Sequence, residues 1–191
     1  MSLESKNIKL RALELSDIDF IYKWENDSNS WFVSNTLVPF SRYILEKYIE
    51  SSHLDIYQTK QLRLMICLNN SVETPIGTID LFDFDPFHNR AGVGILIAEK
   101  QHQNKGFASE SLQLLIQYCF RTLHLHQLFC NIAKNNTASI NLFEKYNFEI
   151  SGKKKQWLKD GNNWIDEYFL QLINPTETSK SAFEQKKDQQ N

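Results

Sequence analysis

Apolar and polar residues alternate along several short stretches of this chain, whereas elsewhere apolar residues recur every three or four positions. Alternation and short apolar runs predict β-strands, and the longer spacing predicts helices with one buried face. Seven strands are therefore expected, at residues 8–12, 62–68, 76–84, 91–98, 127–133, 149–152 and 164–173. Helices are expected to begin near residues 16, 41, 107 and 136. This mixture, without an internal repeat, predicts one domain of the α/β or α+β class.

Polar residues of the types that cap helices stand at the ends of the predicted helices. Ser16 with Asp19 resembles a capping pair, and Ser41 begins the second helix. Asn136 is a suitable N-cap for the last helix, and Asn147 can adopt the left-handed conformation that closes it. These residues predict where the helices begin and end.

The chain is long enough for one well-filled core, but its C-terminal end differs in composition from the rest. With 191 residues, of which 41% are hydrophobic, a single domain over residues 1–174 is expected. Residues 175–191 are polar and charged, with Phe183 nearly the only large apolar side chain. Such a segment cannot bury enough apolar surface to offset its ordering entropy, so we expect a flexible tail.

Charge and cysteine content restrict the class of protein. The formal net charge of -2 at pH 7 argues against a basic surface and a nucleic-acid partner. Cys67, Cys119 and Cys130 lie in apolar runs and predict buried thiols in a reducing compartment. The N-terminal segment lacks an apolar signal core and no run has membrane-spanning length, so we expect a cytoplasmic protein without a membrane partner. The five histidines lack metal-binding spacing, so no metal is expected.

The loop from Gln103 to Ser109 is the strongest candidate binding feature. It follows an apolar strand and opens the longest predicted helix, whose first amides have no partner within the helix. Those amides and the positive end of the helix dipole favour a phosphate group. Gly106 lets the backbone approach a ligand closely, and Lys105 adds a positive charge. The glycine patterns of dinucleotide-binding and P-loop proteins are missing from the loop, so a different phosphate-bearing ligand is expected.

Together with a second motif further along the chain, this loop resembles a known family. Gln103, Gly106 and Ala108 are similar to the acetyl-CoA signature Gln/Arg-x-x-Gly-x-Gly/Ala of the GNAT N-acetyltransferases. The family's second motif, Asn-x-x-Ala/Ser-x-x-Leu-Tyr-Glu-Lys-x-Gly-Phe, resembles the stretch Asn136-x-x-Ser139-x-x-Leu142-Phe143-Glu144-Lys145-x-Asn147-Phe148. Residues 10–17 and 76–81 resemble the branch of spermidine acetyltransferases and ribosomal-protein N-terminal acetyltransferases. The resemblance implies the GNAT acyl-CoA N-acyltransferase fold, a mixed and mostly antiparallel sheet whose fourth and fifth strands splay apart.

The resemblance also implies acetyl-CoA as the acetyl donor and suggests its contacts. The pyrophosphate would lie against the loop, which comprises Gln103, Asn104, Lys105, Gly106, Phe107, Ala108 and Ser109. The pantetheine arm would pair with the backbone of Ile95, Leu96 and Ile97, as a peptide pairs with a sheet edge. Asn136, with Phe143 and Lys145 of the helix that follows it, would flank the far side of the cofactor.

The sequence departs from the family pattern at two catalytic positions. Phe143 stands where many members have a tyrosine that protonates the departing thiolate, and Gly92 stands where a glutamate often lies. The remaining candidates for the general base are Asp80, Asp83 and Asp85. On an ideal strand Asp80 and Asp83 face opposite sides, so at most one lies in the site unless a bulge intervenes. Asp83 is the preferred catalytic residue because it approximately matches a family acid that contacts polyamines.

The acceptor is expected to bind beside the loop at residues 25–39. Glu25 and Asp83 would attract a cationic amine, and Trp31 would offer a cation–π face, unless the aromatic residues cap the core instead. The prediction is direct transfer of an acetyl group to a small amine that resembles a diamine or polyamine. Two alternatives stay open: acetylation of a protein N-terminus or lysine, as on a ribosomal protein, and a non-catalytic acyl-CoA-binding module. The exposed sheet edges typical of the family also allow a homodimer.

Overall fold

Seven strands form one sheet in the computed structural model, which describes residues 2–28, 31 and 36–175. They are β1 (Ile8–Ala12), β2 (Leu62–Leu68), β3 (Pro75–Asp85), β4 (Arg90–Ile97), β5 (Gln127–Ala133), β6 (Glu149–Asp160) and β7 (Asn163–Ile173). The order across the sheet is β1-β2-β3-β4-β5-β7-β6, and every neighbouring pair is antiparallel except β4 with β5. The predicted mixed, mostly antiparallel sheet is confirmed.

Five α-helices flank this sheet within the described residues. They are α1 (Ile18–Glu25), α2 (Arg42–Glu50), α3 (Ile56–Thr59), α4 (Phe107–Arg121) and α5 (Thr137–Glu144). Four of them correspond to the predicted helices. The exception is α3, which has four residues and is therefore too short for hydrophobic periodicity to reveal.

The longer helices cover opposite faces of the sheet and define two apolar cores. On one face α1 and α2 enclose a core that includes Trp24, Leu45 and Met65. On the other face α4 and α5 contribute Leu112 and Phe143 to a larger core. We call these the α1–α2 face and the α4–α5 face. Because strand side chains alternate, neighbouring residues of a central strand face different cores.

The parallel strands β4 and β5 pair only where they begin. The register joins Arg90 to Gln127, Ala91 to Leu128 and Gly92 to Phe129. Beyond these residues the two described strands form no further pairs, so they diverge and leave an open edge on each. The predicted splay of the fourth and fifth strands is confirmed.

The first helix begins differently from the prediction. The capping box joins Glu14 to Asp17, not Ser16 to Asp19. Two guanidinium nitrogens of Arg11 donate to the buried Asp17 carboxylate at 2.7 and 2.8 Å. Asp17 therefore contacts both Glu14 and Arg11. A short 3-10 turn, Leu15–Asp17, precedes α1, which starts at Ile18.

Other caps agree with the sequence. The Ser41 hydroxyl accepts a hydrogen bond from the Ile44 amide at 3.2 Å, and the Asn136 side chain accepts one from the Ser139 amide at 3.1 Å. Asn147 has a φ of 63° and is left-handed as predicted.

The last hairpin is longer than the sequence pattern indicates. β6 was expected over residues 149–152, but it continues to Asp160 and pairs with β7 along most of its length. Its side chains are almost all exposed, so it carries no apolar alternation that could reveal it. The predicted tail lies outside the described residues from residue 176 onward, and the domain boundary stays a prediction. In the part of the chain that is described, no helix is long and apolar enough to span a bilayer.

Candidate functional site

Two cavities meet at the open edge of β4. The larger, of about 690 Å³, lies in the splay between β4 and β5, and we call it the cleft. The smaller, of about 430 Å³, lies between β4 and the helices α1 and α2, and we call it the side pocket. Arg63, Asp80, Gly94 and Ile95 line both cavities. A ligand in the cleft can therefore meet a ligand that enters through the side pocket.

Backbone groups of alternate β4 residues face the cleft. In an antiparallel pair, the N–H and C=O of one residue point to the same side, and successive residues alternate. The Ala98 amide donates to the Ile76 carbonyl at 2.9 Å. The backbone N–H and C=O groups of the even-numbered β4 residues therefore point toward β3. Ile95 and Ile97 therefore present their backbone groups to the open edge of β4, where Ile95 lines the cleft and the Ile97 carbonyl accepts from the Gln103 side chain. Those of Leu96 face β3, although its side chain lines the side pocket.

The predicted phosphate loop makes a tight turn at the N-terminus of α4. Asn104 and Gly106 have positive φ values of 58° and 87°, so the chain is left-handed twice within three residues. The Gln103 side-chain amide donates to the Ile97 carbonyl at 2.8 Å and ties the loop to the end of β4. The Glu110 amide donates to the Gly106 carbonyl at 3.0 Å. Among the described backbone hydrogen bonds, this is the first in chain order that an α4 amide donates. The preceding amides therefore face out of the helix end.

A polar cluster joins this helix end to the C-terminal end of α5. The Lys145 ammonium donates to the Ser109 hydroxyl at 2.7 Å. That hydroxyl is also 2.8 Å from the Tyr146 hydroxyl. Together with the exposed Lys105, this cluster adds two positive charges to the helix N-terminus. The arrangement is suited to a diphosphate.

The α5 side of the cleft is formed by Asn136 and Phe143. Both line the cleft. The Phe143 ring is 3% exposed and packs edge-on against Phe148, with ring centroids 4.9 Å apart. Tyr146 carries the hydroxyl nearest to Phe143 in the sequence. That hydroxyl bonds to Ser109, and Tyr146 is not among the described residues that line the cleft.

An ion cluster of three residues stands where the two cavities meet. Arg63 pairs with Asp80 at 2.6 Å and with Glu25, and its guanidinium lies 5.6 Å from the centre of the Tyr48 ring. Burial alone would lower the pKa of Arg63, but the two carboxylates outweigh it and the pKa rises. Burial raises the pKa of the Tyr48 phenol. The cluster therefore carries two carboxylates for one cation.

Asp83, the preferred catalytic residue, is not brought into the site. A bulge interrupts the pairing of β3 and β4 between Phe82 and Asp85, and Asp83 lies there with a φ of 48°. Its side chain is exposed and is not among the described residues that line either cavity. Of the three aspartates considered, Asp80 is the one that the fold brings to both cavities.

Trp31 lies near the end of α1 but does not line the cavities among the described residues. Its indole N–H donates to the Glu25 carbonyl at 2.9 Å, which fixes the half-buried ring against the helix end. Glu25 itself lines the side pocket, as predicted. Phe32, which directly follows Trp31, falls outside the described residues.

Gly92 has a packing role at the base of the cleft. A Cβ at this position would lie 2.3 Å from the Phe82 ring. That ring in turn makes an edge contact with Phe129 at 5.7 Å between centroids. An aromatic contact therefore fills the space beside Gly92, where the family resemblance would put a glutamate side chain.

Several polar or aromatic residues of the cleft were missed by sequence reasoning, among them Arg63, Lys154, Trp157 and Glu167. Arg63 could have been found, because it is a lone charge inside the apolar run of β2. Lys154, Trp157 and Glu167 come from β6 and β7, and no local pattern indicates that they face the cleft.

The cysteine thiols point away from covalent chemistry. Burial raises the pKa of the Cys130 thiol, which lines the cleft, and that of Cys119 in the core. A thiol kept protonated is a poor nucleophile. Within the described residues, no group of three or more histidine, cysteine, aspartate or glutamate side chains is arranged to hold a metal ion.

Comparisons with known proteins agree with this geometry. A sequence model of the acetyltransferase (GNAT) domain matches residues 7–149. The spermidine N(1)-acetyltransferase of Vibrio cholerae is 27% identical over 151 residues, which are 78% of this chain and 82% of that protein. The uncharacterized N-acetyltransferase p20 of Bacillus licheniformis is 27% identical over 172 residues, 90% of this chain and 96% of that protein. The crystal structure of the Vibrio cholerae spermidine N-acetyltransferase with CoA and spermine has a TM-score of 0.76 at 25% identity, covering 88% of this chain and 96% of that one.

Proposed function

The chain belongs to the acetyltransferase (GNAT) family and is an acetyl-CoA-dependent N-acetyltransferase, and we propose that its acceptor is a small cationic amine of the diamine or polyamine class. The ion cluster between the cavities carries this proposal. Glu25 and Asp80 flank a single guanidinium, that of Arg63, and leave one negative charge for a protonated amine. Tyr48 and Trp24 add aromatic walls to the side pocket, which suit an alkylammonium ion. The relatives that acetylate spermidine support the same substrate class.

On the donor side, we propose that the phosphate loop and Lys145 hold the pyrophosphate of acetyl-CoA. The loop offers the free amides at the start of α4, and Lys145 and Lys105 offer positive charge. The pantetheine arm would then run along the cleft, with the backbone groups of Ile95 and Ile97 on one side. Asn136 and Phe143 would form the other side.

The proposed reaction is direct attack of the amine on the acetyl carbonyl carbon. The new C–N bond forms, the C–S bond breaks, CoA leaves as a thiolate, and a proton leaves the amine. A primary amine is mostly protonated at pH 7, and its deprotonation costs roughly 4 kcal/mol. We assign proton removal to Asp80 instead of Asp83, because Asp80 lines both cavities and is held by Arg63. Direct attack agrees with the raised pKa of Cys130, which disfavours an acyl-cysteine intermediate.

No general acid is needed for the leaving group. Phe143 has no proton to donate, and its ring packs against Phe148 at the cleft wall. A thiol with an ordinary pKa leaves as a thiolate at pH 7 at a cost of about 2 kcal/mol. The aromatic ring can then act as an apolar wall for the arm of the donor.

The acceptor class is tested by comparing amines with the purified enzyme and acetyl-CoA. Thiol release is measured with spermidine, 1,4-diaminobutane, n-butylamine and short peptides that have a free N-terminus. We expect spermidine or the diamine to give the highest kcat/KM. Faster turnover of the peptides would overturn the proposal in favour of a protein acceptor.

Glu25→Gln tests the charge argument directly. The substitution removes the carboxylate that faces the side pocket and keeps the shape, so KM for the diamine should rise about tenfold, which is about 1.4 kcal/mol. Glu50→Gln, an exposed carboxylate at the end of α2, is the matched control and should leave KM unchanged. Equal KM values in both variants would contradict the role of Glu25. Assembly as a homodimer stays a prediction, which sedimentation velocity can test.

A further inference from the structure

The ammonium of Lys154 lies among three groups of the kinds that bind a primary ammonium. Its Nζ donates to Glu167 Oε2 at 2.7 Å and to Asn131 Oδ1 at 2.8 Å. The same nitrogen lies 5.1 Å from the centre of the Trp157 ring. A carboxylate, an amide oxygen and an indole face are typical partners of alkylammonium ions. We call these three groups the ammonium cage, and all of them line the cleft.

The ammonium cage faces the same space as Asp80, on the other side of the splay. Phe82 lies two residues after Asp80, so the two side chains share a face of β3. Phe82 pairs with Gly92, and Gly92 pairs with Phe129 of β5. Asn131 follows Phe129 by two residues and shares its face. The cage and the ion cluster are thus on the α1–α2 face, separated by the open cleft.

A bulge in β6 brings the aromatic part of the cage into position. The pairing of β6 with β7 shifts register between Lys154 and Leu158, and Gln156 has a φ of 49°. The Gln156 amide donates to Asp166 Oδ1 at 2.9 Å and holds the bulge. In a regular strand Lys154 and Trp157 would face opposite sides. The bulge allows both to face the cleft, as bulges beside binding sites often do.

We propose that the ammonium cage is a second acceptor subsite, in which the ammonium of Lys154 occupies the place of a substrate ammonium. This inference rests on the proposed function and specifies it. The preferred acceptor carries two ammonium groups: one reacts beside Asp80, and the other displaces the Lys154 ammonium from Glu167. A monoamine engages the reacting position alone.

The contacts of Lys154 make such an exchange feasible. Its side chain is 36% exposed, so the flexible stem can carry the ammonium into solvent. Glu167 is 6% exposed and needs a cation beside it, because a buried carboxylate without a partner is strongly unfavourable. One ammonium therefore replaces another of the same chemistry, and Glu167 stays paired throughout.

Chemical rescue of Lys154→Ala tests the subsite without turnover. The substitution leaves Glu167 without its cation and should lower Tm. 1,4-Diaminobutane should then raise the Tm of this variant more than that of the unaltered enzyme, because no internal ammonium competes. Lys9→Ala is the matched control, since Lys9 pairs with Glu73 at 2.8 Å on β1, at the opposite edge of the sheet. Equal diamine-induced shifts in the two variants would overturn the proposal.

Kinetics of Glu167→Gln supply a second measurement, which also serves if Lys154→Ala does not fold. KM for spermidine, whose terminal ammonium groups lie further apart than those of 1,4-diaminobutane, should rise roughly tenfold, whereas KM for n-butylamine should stay within about twofold. Equal changes for the two amines would overturn the subsite. If the unaltered enzyme prefers peptides to polyamines, the proposed function itself is wrong. If it prefers spermidine but Glu167→Gln leaves that KM unchanged, only the second subsite is wrong.

Discussion

Gly94 lies where a side chain would stand between Asp80, the proposed base, and the cleft. It lines both cavities, and a Cβ there would be 3.8 Å from Asp80 Oδ2 and 4.0 Å from the Phe82 ring. These are ordinary van der Waals distances, so alanine fits without moving its neighbours. The sheet itself therefore does not require a glycine at this position. The missing side chain instead keeps the path between the two cavities open.

Gly94→Ala should separate catalysis from stability. The added methyl narrows the path of the amine, so kcat/KM for the amine should fall about tenfold, equivalent to about 1.4 kcal/mol of transition-state stabilisation. Tm should change little. Gly152→Ala is the control, because its Cβ would make an ordinary contact with Phe169, 3.6 Å away, outside the cavities. Unchanged kcat/KM in Gly94→Ala, measured by thiol release, would show that the amine does not pass this point.

Residues whose roles are set by near neighbours could be assigned from sequence alone. Asn136 was assigned as a cap because its partner, the Ser139 amide, is three residues away. Gly106 was predicted to let the backbone of the loop approach a ligand, and its positive φ of 87° is a local feature of the same turn. Lys154 and Glu167 could not be assigned, since their place in the cleft depends on the register of two strands and on a bulge. The role of a residue can be predicted from the sequence when its partners are close along the chain. It cannot be predicted when strand pairing brings the partners together.

At the scale of elements, strand irregularities decide which acids reach the site. Ideal alternation correctly separates Asp80 from Asp83, but the bulge after Phe82 also gives Asp83 a left-handed backbone and an exposed side chain. A second bulge, at Gln156, has the opposite effect and brings Trp157 to the cleft. Neither bulge contains a glycine, so neither carries the residue type that would signal it. The strands other than β6 were predicted well because their apolar residues alternate or form short runs.

A single carboxylate joins α1 to the end of β4. Glu99 accepts hydrogen bonds from the Lys23 ammonium at 2.6 Å and from the Trp24 indole at 3.0 Å. Both hydrogen bonds lower the pKa of Glu99 below its ordinary value of 4.5, and the bond from Lys23 has the larger effect. The carboxylate therefore fixes the helix that carries Glu25 and one wall of the side pocket.

This contact should make the stability of the fold depend on acid pH. A carboxyl with a lowered pKa in the folded state stabilises the fold above its ordinary pKa, and loses that contribution as pH falls through the folded value. The free energy of unfolding should therefore differ between the unaltered chain and Glu99→Gln at pH 7, and the difference should shrink below about pH 4.5. Urea denaturation across this range measures it, with Glu50→Gln as the control for charge. A difference that does not vary with pH would contradict the assignment.

For the whole molecule, the sheet separates the proposed donor site from the proposed acceptor site. The phosphate loop and Lys145 lie at the ends of α4 and α5, whereas Glu25, at the end of α1, and Arg63 line the side pocket on the α1–α2 face. The two sides meet where β4 leaves β5, at residues that line both cavities. Donor and acceptor can therefore be held by independent sets of contacts.

This separation predicts that binding defects on the two sides are independent. Lys145→Ala removes a charge from the proposed pyrophosphate site, so KM for acetyl-CoA should rise about fivefold, equivalent to about 1 kcal/mol, while KM for the diamine stays unchanged. Glu25→Gln should show the reverse pattern, and the double variant should show both effects at full size, because sites without shared partners are additive. Lys9→Ala, at a surface lysine paired with Glu73, controls for the loss of a positive charge. The prediction is contradicted if Lys145→Ala raises KM for the diamine, or if the KM changes of the double variant differ clearly from those of the single variants. Either result would mean that a substitution on one face of the sheet alters binding on the other face.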